Sequence, residues 1–453
     1  MRKAAKYLGT IIGAILIICV LIFIFFPDPI INAYLKDRVT KSFNETYPAY
    51  SMNLGDMHYS VWKNRLACDS VLLKASDSTF TCTIASLSLR GINWIKILFP
   101  PKNTLNIAEN LVLDAEQTSL SFHKSSEEIR LETMHLSLPD SEMTVDSIKY
   151  FSLLNDEQFF AKSKFRQTRY RFDIPQLKVL GINFLKLLEG NGYEAGKINI
   201  REVSADILVN MDKPYNSNSP NPQMPNEILA SIKETIKIDS LGIMNGRLKY
   251  SERFKLRGKP GVITFDKINA SISGIANHTV KSDTAVIKAE GIFMNSGKMK
   301  LLLEIPLEST DFSLRYSGSL SGMDVTRLNN FIEPGEHHRI KSGVLQSAAF
   351  NVAINSGHAS GTLRVAYKDL TIAILNKDTG SEKGIFNRIL SFFGKVFVIR
   401  GSNMPDEKGL MKIGKIDYTR NPQDYFFQIL WFSLRSGIAD LVGFPKEPDP
   451  VNK

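Results

Sequence analysis

The sequence predicts a mainly β protein: an extended, curved, open antiparallel sheet with a few amphipathic capping helices, behind a single N-terminal transmembrane helix. The first observation is an eight-residue phrase of apolar, polar, apolar, two polar, apolar, polar, apolar. It reads MNLGDMHY (52–59), MTVDSIKY (143–150), INIREVSA (198–205), IKIDSLGI (236–243), ITFDKINA (263–270) and MKIGKIDY (411–418), with a looser copy, CTIASLSL (82–89). At 43% apolar residues, chance supplies about one or two strict copies. The spacing i, i+2, i+5, i+7 lines no helix face; it fits a strand that alternates, slips by one residue at a β-bulge and alternates again, keeping one face apolar. The second observation is an apolar run over residues 7–26. The third is the scarcity of long 3.6-residue periodicity between residues 49 and 375.

Taken in order, residues 1–27 read as a cytoplasmic stub and transmembrane helix. Residues 8–26 carry no charge and span roughly 28 Å at helical rise, about one bilayer core. Arg2, Lys3 and Lys6 precede the run, which sets the N-terminus in the cytoplasm and the bulk outside. Residues 28–48 form an amphipathic helix (Ile30, Ile31, Tyr34, Leu35, Val39, Phe43, Tyr47), expected to cap the sheet's open end rather than lie along a membrane. A first β-groove region covers 49–211, interrupted by the apolar GINWIKILFPP (91–101) and by QLKVLGINFLKLLEG (176–190), read as a short helix. A Pro/Asn linker and short helix (212–236) lead to a second β-groove region (237–376), with a hairpin turn at Asn355, Ser356 and Gly357. Residues 377–422 hold an amphipathic helix (384–399) and terminal strands; 423–453 hold a C-terminal apolar helix and tail. Arg435 and Asp440 make that helix docked or interfacial rather than spanning.

Composition excludes several functions. The net charge of +10 is dispersed, with no basic-aromatic RNA signature and no zinc-finger spacing, so no nucleic-acid partner is expected. There is no nucleophile elbow, P-loop, dinucleotide fingerprint or zinc-protease motif, so no enzyme and no cofactor is expected. The cluster EPGEHHR (333–339) reads as a solvated turn rather than a metal site. Cys68 and Cys82 admit two readings, one disulfide across neighbouring strands or two free thiols. The run KSKFRQTRYRF (162–172) reads as the charged face of an edge strand, with an anionic headgroup contact as the alternative.

Three stretches resemble the AsmA-like superfamily of Gram-negative envelope proteins: the N-terminal run with its following helix, the segments SGSLSGMDVTRLNNFIEP, IKSGVLQSAAFNV and SGTLRVAYKDLTI, and RNPQDYFFQILWFSLRSGIADLVG. The resemblance implies a taco-like β-groove with an apolar lining, anchored in the inner membrane, projecting into the periplasm and handling phospholipid on the way to the outer membrane. It carries no catalytic residues.

The expected function is therefore lipid binding: acyl chains cover an apolar face too open to close, with phospholipids as ligands and an outer-membrane or envelope protein as a further partner. The groove candidates are Phe265, Ile268 and Ile272, then Phe350, Val352 and Ile354, then Leu363, Val365 and Tyr367. The alternative is a structural or assembly factor whose sheet is filled by its own helices or pairs with client strands.

Overall fold

The computed structural model describes residues 27–93, 110–188, 190–256, 258–277, 284–307, 309, 311–336, 338–375 and 400–443. The mainly β expectation holds: 56% strand, 17% helix and, among the described residues, one large mixed sheet of 19 strands. The chain divides into two compact units, Met1–Leu154 with Asp173–Leu185, and Asn155–Phe172 with Lys186–Lys453. The Pro/Asn segment therefore lies inside the second unit, not between units.

The single-pass inner-membrane localisation is corrected. No helix among the described residues is long and apolar enough to cross a membrane. The run 7–26, on which that localisation and the inner-membrane contact rested, lies outside the described residues, as do 94–101, 384–399, His337 and 444–453.

In the first unit, a helix in three pieces opens the described chain: α1 (Pro27–Ile30), a π-helical stretch (Ile31–Lys36) and α2 (Asp37–Thr46). The strands β1 (Tyr50–Leu54), β2 (Met57–Ser60), β3 (Arg65–Cys68) and β4 (Val71–Ala75) lead into β5 (Phe80–Arg90), β6 (Val112–Phe122), β7 (Glu127–Ser137) and β8 (Glu142–Ser152). From β5 to β8 every neighbour pair is antiparallel, and one register holds from end to end of each ladder. The one-residue slip is nonetheless present. Gln117 on β6 and Ser147 on β8 adopt left-handed φ of 49° and 54°. The β7 sequence IRLETMHL carries the same spacing as the six copies named above. Because adjacent strands slip at the same level, pairing resumes without a shift. Apolar pairs then continue on one face, as in Leu87–Ala115–Met134–Val145 and Leu89–Leu113–Leu136–Met143.

The helix does cap a strand edge, by its side chains. Asn32 Oδ1 accepts from Met57 N (2.8 Å), Asn32 Nδ2 donates to Met57 O (2.9 Å), Asp28 Oδ1 accepts from Tyr59 N (2.8 Å) and Asn44 Oδ1 accepts from Met52 N (2.8 Å). These groups replace part of the ladder that another strand would supply.

The second unit holds the start of β9 (Thr168–Leu180), then β10 (Gly192–Arg201), β11 (Ser204–Asn210), β12 (Thr235–Arg253), β13 (Gly261–Ala276), β14 (Thr284–Phe293), β15 (Gly297–Pro306), β16 (Leu314–Asp324), β17 (His338–Asn355), β18 (His358–Ile374) and β19 (Gly414–Thr419). The purely antiparallel expectation fails here, since β10 and β11 both run parallel to β12. From β12 to β19 each strand pairs antiparallel with the next. Two further phrase copies are bulges, with Glu202 at φ 54° and Lys267 at φ 51°; the β13–β14 register shifts at the latter, between Asp266 and Asn269. The expected hairpin is present: Asn355 pairs with His358, and Ser356 and Gly357 take φ of 47° and 81°.

The remaining α-helices among the described residues are α3 (Asp156–Ala161), α4 (Phe184–Leu188), α5 (Pro225–Ser231), α6 (Asn329–Glu336) and α7 (Phe426–Val442). The expected helix at 176–190 is only α4; residues 176–180 continue β9. The helix expected from 226 to 236 ends at Ser231, because Thr235 already opens β12.

Candidate functional site

Cross-strand register in the second unit places one apolar row across the sheet: Ile198, Leu241, Ile272, Ile287, Leu303, Tyr316, Val352, Gly361 and Ile416. A parallel row runs through Ile243, Ala270, Ala289, Leu301, Gly318, Phe350 and Leu363. Residues directly opposite on neighbouring strands share a face, so both rows line one side.

Burial along that side is uneven. Leu303, Tyr316, Val352 and Ile416 are buried, the last two at 0% exposure. Ile198, Leu241, Ile272 and Ile287 are only half-buried. The difference is α7. Its buried positions Ile429, Ser433, Gly437 and Leu441 recur every four residues and lie on the β16–β19 end of the rows. The approach is close enough to require small residues. A Cβ on Gly437 would stand 2.8 Å from Ile416 Cγ1, and one on Gly414 would stand 2.3 Å from Gly437 O. Tyr316 Oη donates to Leu430 O at 3.0 Å, and burial drives the Tyr316 pKa well above its ordinary value. Met224, just before α5, is fully buried in the same cluster. The docked alternative for α7 is the observed one. Its outer side keeps Phe427 73% exposed.

The sequence-derived groove candidates therefore divide. Phe350, Val352, Ile354 and Leu363 are core in one cluster with Ile429 of α7 and with Met224, and Val365 packs against them half-buried. Tyr367 is buried in an adjoining cluster with its hydroxyl donated to Arg400 O at 2.8 Å. Five of these, Phe350, Val352, Ile354, Leu363 and Tyr367, are buried core rather than groove lining, and Val365 is half-buried at its margin. Strand periodicity marks a face as apolar but does not say what covers it. Phe265, Ile268 and Ile272 on β13 belong to the half-buried section, and Phe265 lies against Phe293 with ring centroids 5.1 Å apart.

The two cysteines are free thiols. Cys68 pairs across strands with Met57 and Leu87, and Cys82 with Leu73 and Leu120, so the register never sets one opposite the other. Cys68 Sγ donates to Ser70 O, and burial raises the Cys82 thiol pKa. Glu333 of the acidic–histidine cluster accepts two bonds from Arg339 (2.7 and 3.0 Å), which with the Arg339 charge lowers its carboxyl pKa.

The basic run, expected as the charged outer face of an edge strand, divides: Lys162, Lys164, Phe165 and Tyr170 are exposed, whereas Arg169 is not. Arg169 is buried, donating to Asp156 (3.1 Å) and to the Asp206 carbonyl (2.8 Å), and Arg171 reaches Asp156 at 2.8 Å. The buried Nε of Arg166 has no hydrogen-bond partner.

Sequence reasoning did not single out Tyr250 or Tyr425. Tyr250 Oη donates to Glu252 Oε1 at 2.6 Å. The Tyr250 hydroxyl pKa is raised by burial, then by Glu252, and is also raised by Tyr170 and lowered by Arg166. Tyr425, at the start of α7, is raised by burial and then by Tyr215 and Tyr170, and lowered by Arg166.

Compared with known proteins, the chain matches no family model and no curated protein.

Proposed function

We infer that the half-buried section of the apolar rows in the second unit binds lipid acyl chains, as a carrier or transporter of phospholipid rather than a catalyst. One observation carries the reading: a single cross-strand row is fully buried under α7 at Val352 and Ile416 and half-buried at Leu241, Ile272 and Ile287. Apolar surface left facing water favours an apolar ligand, and acyl chains need no specific polar partners. The AsmA-like resemblance points the same way.

A second reading is favoured by the covered section. A sheet filled by its own helix, as around Val352, suits a structural or assembly factor for envelope proteins.

Native mass spectrometry with lipid extraction on the full chain tests the first reading. At least one co-purifying phospholipid per chain, lost in Ile272→Asp without a fall in melting temperature, is the expected result. A lipid-free, stable, monodisperse protein overturns it and leaves the assembly role.

A further inference from the structure

Among the described residues, Trp62 of the first unit is the most exposed large apolar side chain, at 82%. It sits in the loop between β2 and β3, where Ser60 and Arg65 are the last residues to pair. The loop is braced. Asn64 takes a left-handed φ of 43°, and its backbone N donates to Val61 O at 3.2 Å. Its side chain accepts from Tyr59 Oη at 3.0 Å and donates to Ile92 O at 2.8 Å. Val61 packs against the buried cluster of Met57, Tyr59 and Ile92. Trp62 is thus held out in water by a preorganised turn, which loses little further freedom on binding.

The unpaired charge beside it has one sign. Lys63 and Arg65 are exposed and form no ion pair among the described residues. Arg65 stands directly opposite Arg90 on β5, a like-charge pairing that works against the fold. The carboxylates nearby are engaged. His58 holds Asp28 at 2.9 Å and Asp69 at 3.2 Å, and Asp56 lies 3.7 Å from Lys36. An open cleft of about 330 Å³ next to the loop is lined by Ser60, Lys63 and Arg65, with the Asp28–His58 pair at its side.

Two apolar stretches of sequence join the described chain at the same place. Residues 7–26 lead into Pro27, and the next residue, Asp28, accepts from the Tyr59 amide at 2.8 Å. The stretch WIKILFPP (94–101) follows Asn93, one residue beyond the Ile92 carbonyl that Asn64 holds. The chain returns at Asn110, where a Cβ on Gly91 would stand 1.9 Å from Asn110 O.

We propose that the β2–β3 loop is a contact for the surface of an anionic phospholipid bilayer, with Trp62 at the boundary between headgroups and acyl chains and Lys63 and Arg65 on lipid phosphates. Tryptophan favours that boundary because its ring is apolar and its N–H is polar. Each basic side chain close to an anionic surface contributes about fivefold in affinity. The contact is peripheral and calls for no spanning helix. It is independent of the acyl-chain site in the second unit.

The test follows the emission of Trp62 itself. The chain has three tryptophans, so the full chain carrying Trp94→Phe and Trp431→Phe reports on Trp62 alone. It is titrated with vesicles of phosphatidylcholine and phosphatidylglycerol whose acyl chains are brominated near the headgroup. Trp62 emission should shift to the blue and be quenched, and pure phosphatidylcholine vesicles should do neither at the same lipid concentration. Lys63→Gln with Arg65→Gln should raise the lipid needed for half-quenching about twentyfold, whereas Lys63→Arg with Arg65→Lys should leave it near the parent value. Melting temperatures confirm that all variants fold. Vesicles that leave Trp62 unshifted and unquenched, whether or not the chain binds them elsewhere, overturn the proposal, as does quenching that ignores lipid charge. Acyl-chain uptake by the second unit would leave Trp62 emission unchanged, so the two readings fail separately.

Discussion

Val352 and Ile272 stand on the same cross-strand row of the second unit, four strands apart. Their chemistry is nearly the same and their pairing is equally regular. Val352 is closed off under α7 at 0% exposure, whereas Ile272 is half-buried. The sheet itself does not distinguish them; the helix laid over one end does. Each fully buried aliphatic side chain contributes about 1.5–3 kcal/mol, so a residue sealed like Val352 stabilises the second unit more than a half-buried one like Ile272. The open end leaves its apolar side chains partly exposed.

The largest expected effect is on the covered side. Val352→Asp buries an unpaired carboxylate and should cost about 4 kcal/mol or more, read as loss of the cooperative unfolding transition. Survival with a wild-type melting temperature would mean that α7 does not seal this end. Next comes Gly437→Leu, which forces side-chain atoms against Ile416 and Leu363. It should cost about 2 kcal/mol in chemical denaturation, and the amides of β19 should exchange faster. Ile272→Asp on the open side should cost under about 1 kcal/mol, since the new carboxylate keeps contact with water, while bound lipid is lost. If Val352→Asp and Ile272→Asp destabilise equally, the contrast between the two ends is wrong.

The smallest effect concerns a third kind of cover, the side-chain cap on the first unit's edge. His58 Nδ1 lies 2.9 Å from Asp28 and Nε2 lies 3.2 Å from Asp69, and these bonds, that to Asp28 first, raise its pKa. A raised histidine pKa stabilises the fold fully below its unfolded value of about 6.5 and loses that contribution as pH climbs through the higher folded value. The ring is half exposed, so screening leaves at most a few tenths of a kcal/mol. Hydrogen exchange at the Met57 and Tyr59 amides should quicken modestly between pH 6 and 8 beyond its intrinsic rise, and His58→Ala should abolish that excess.

Much of the fold was legible in the sequence because bulged strands have a spacing of their own. The phrase located the slips at Ser147, Glu202 and Lys267, where the backbone turns left-handed. Strand direction was not legible, since a parallel partner such as β10 uses the same alternation as an antiparallel one. The site was only partly legible. Phe265, Ile268 and Ile272 were found by alternation. The cover over Phe350 and Leu363 was not, because its contact face alternates Ile429 and Leu441 with Ser433 and Gly437, whose value lies in being small.

The shared slip of the first unit has an evolutionary consequence. Because β5 to β8 step sideways at one level, a duplicated hairpin that carries the phrase can be spliced between them and keep every side chain on its proper face. A hairpin without it would reverse inside and outside beyond the fold line. Such a sheet can change length only in whole hairpins that already bear the step, so its length should vary by quanta while its creases stay in phase.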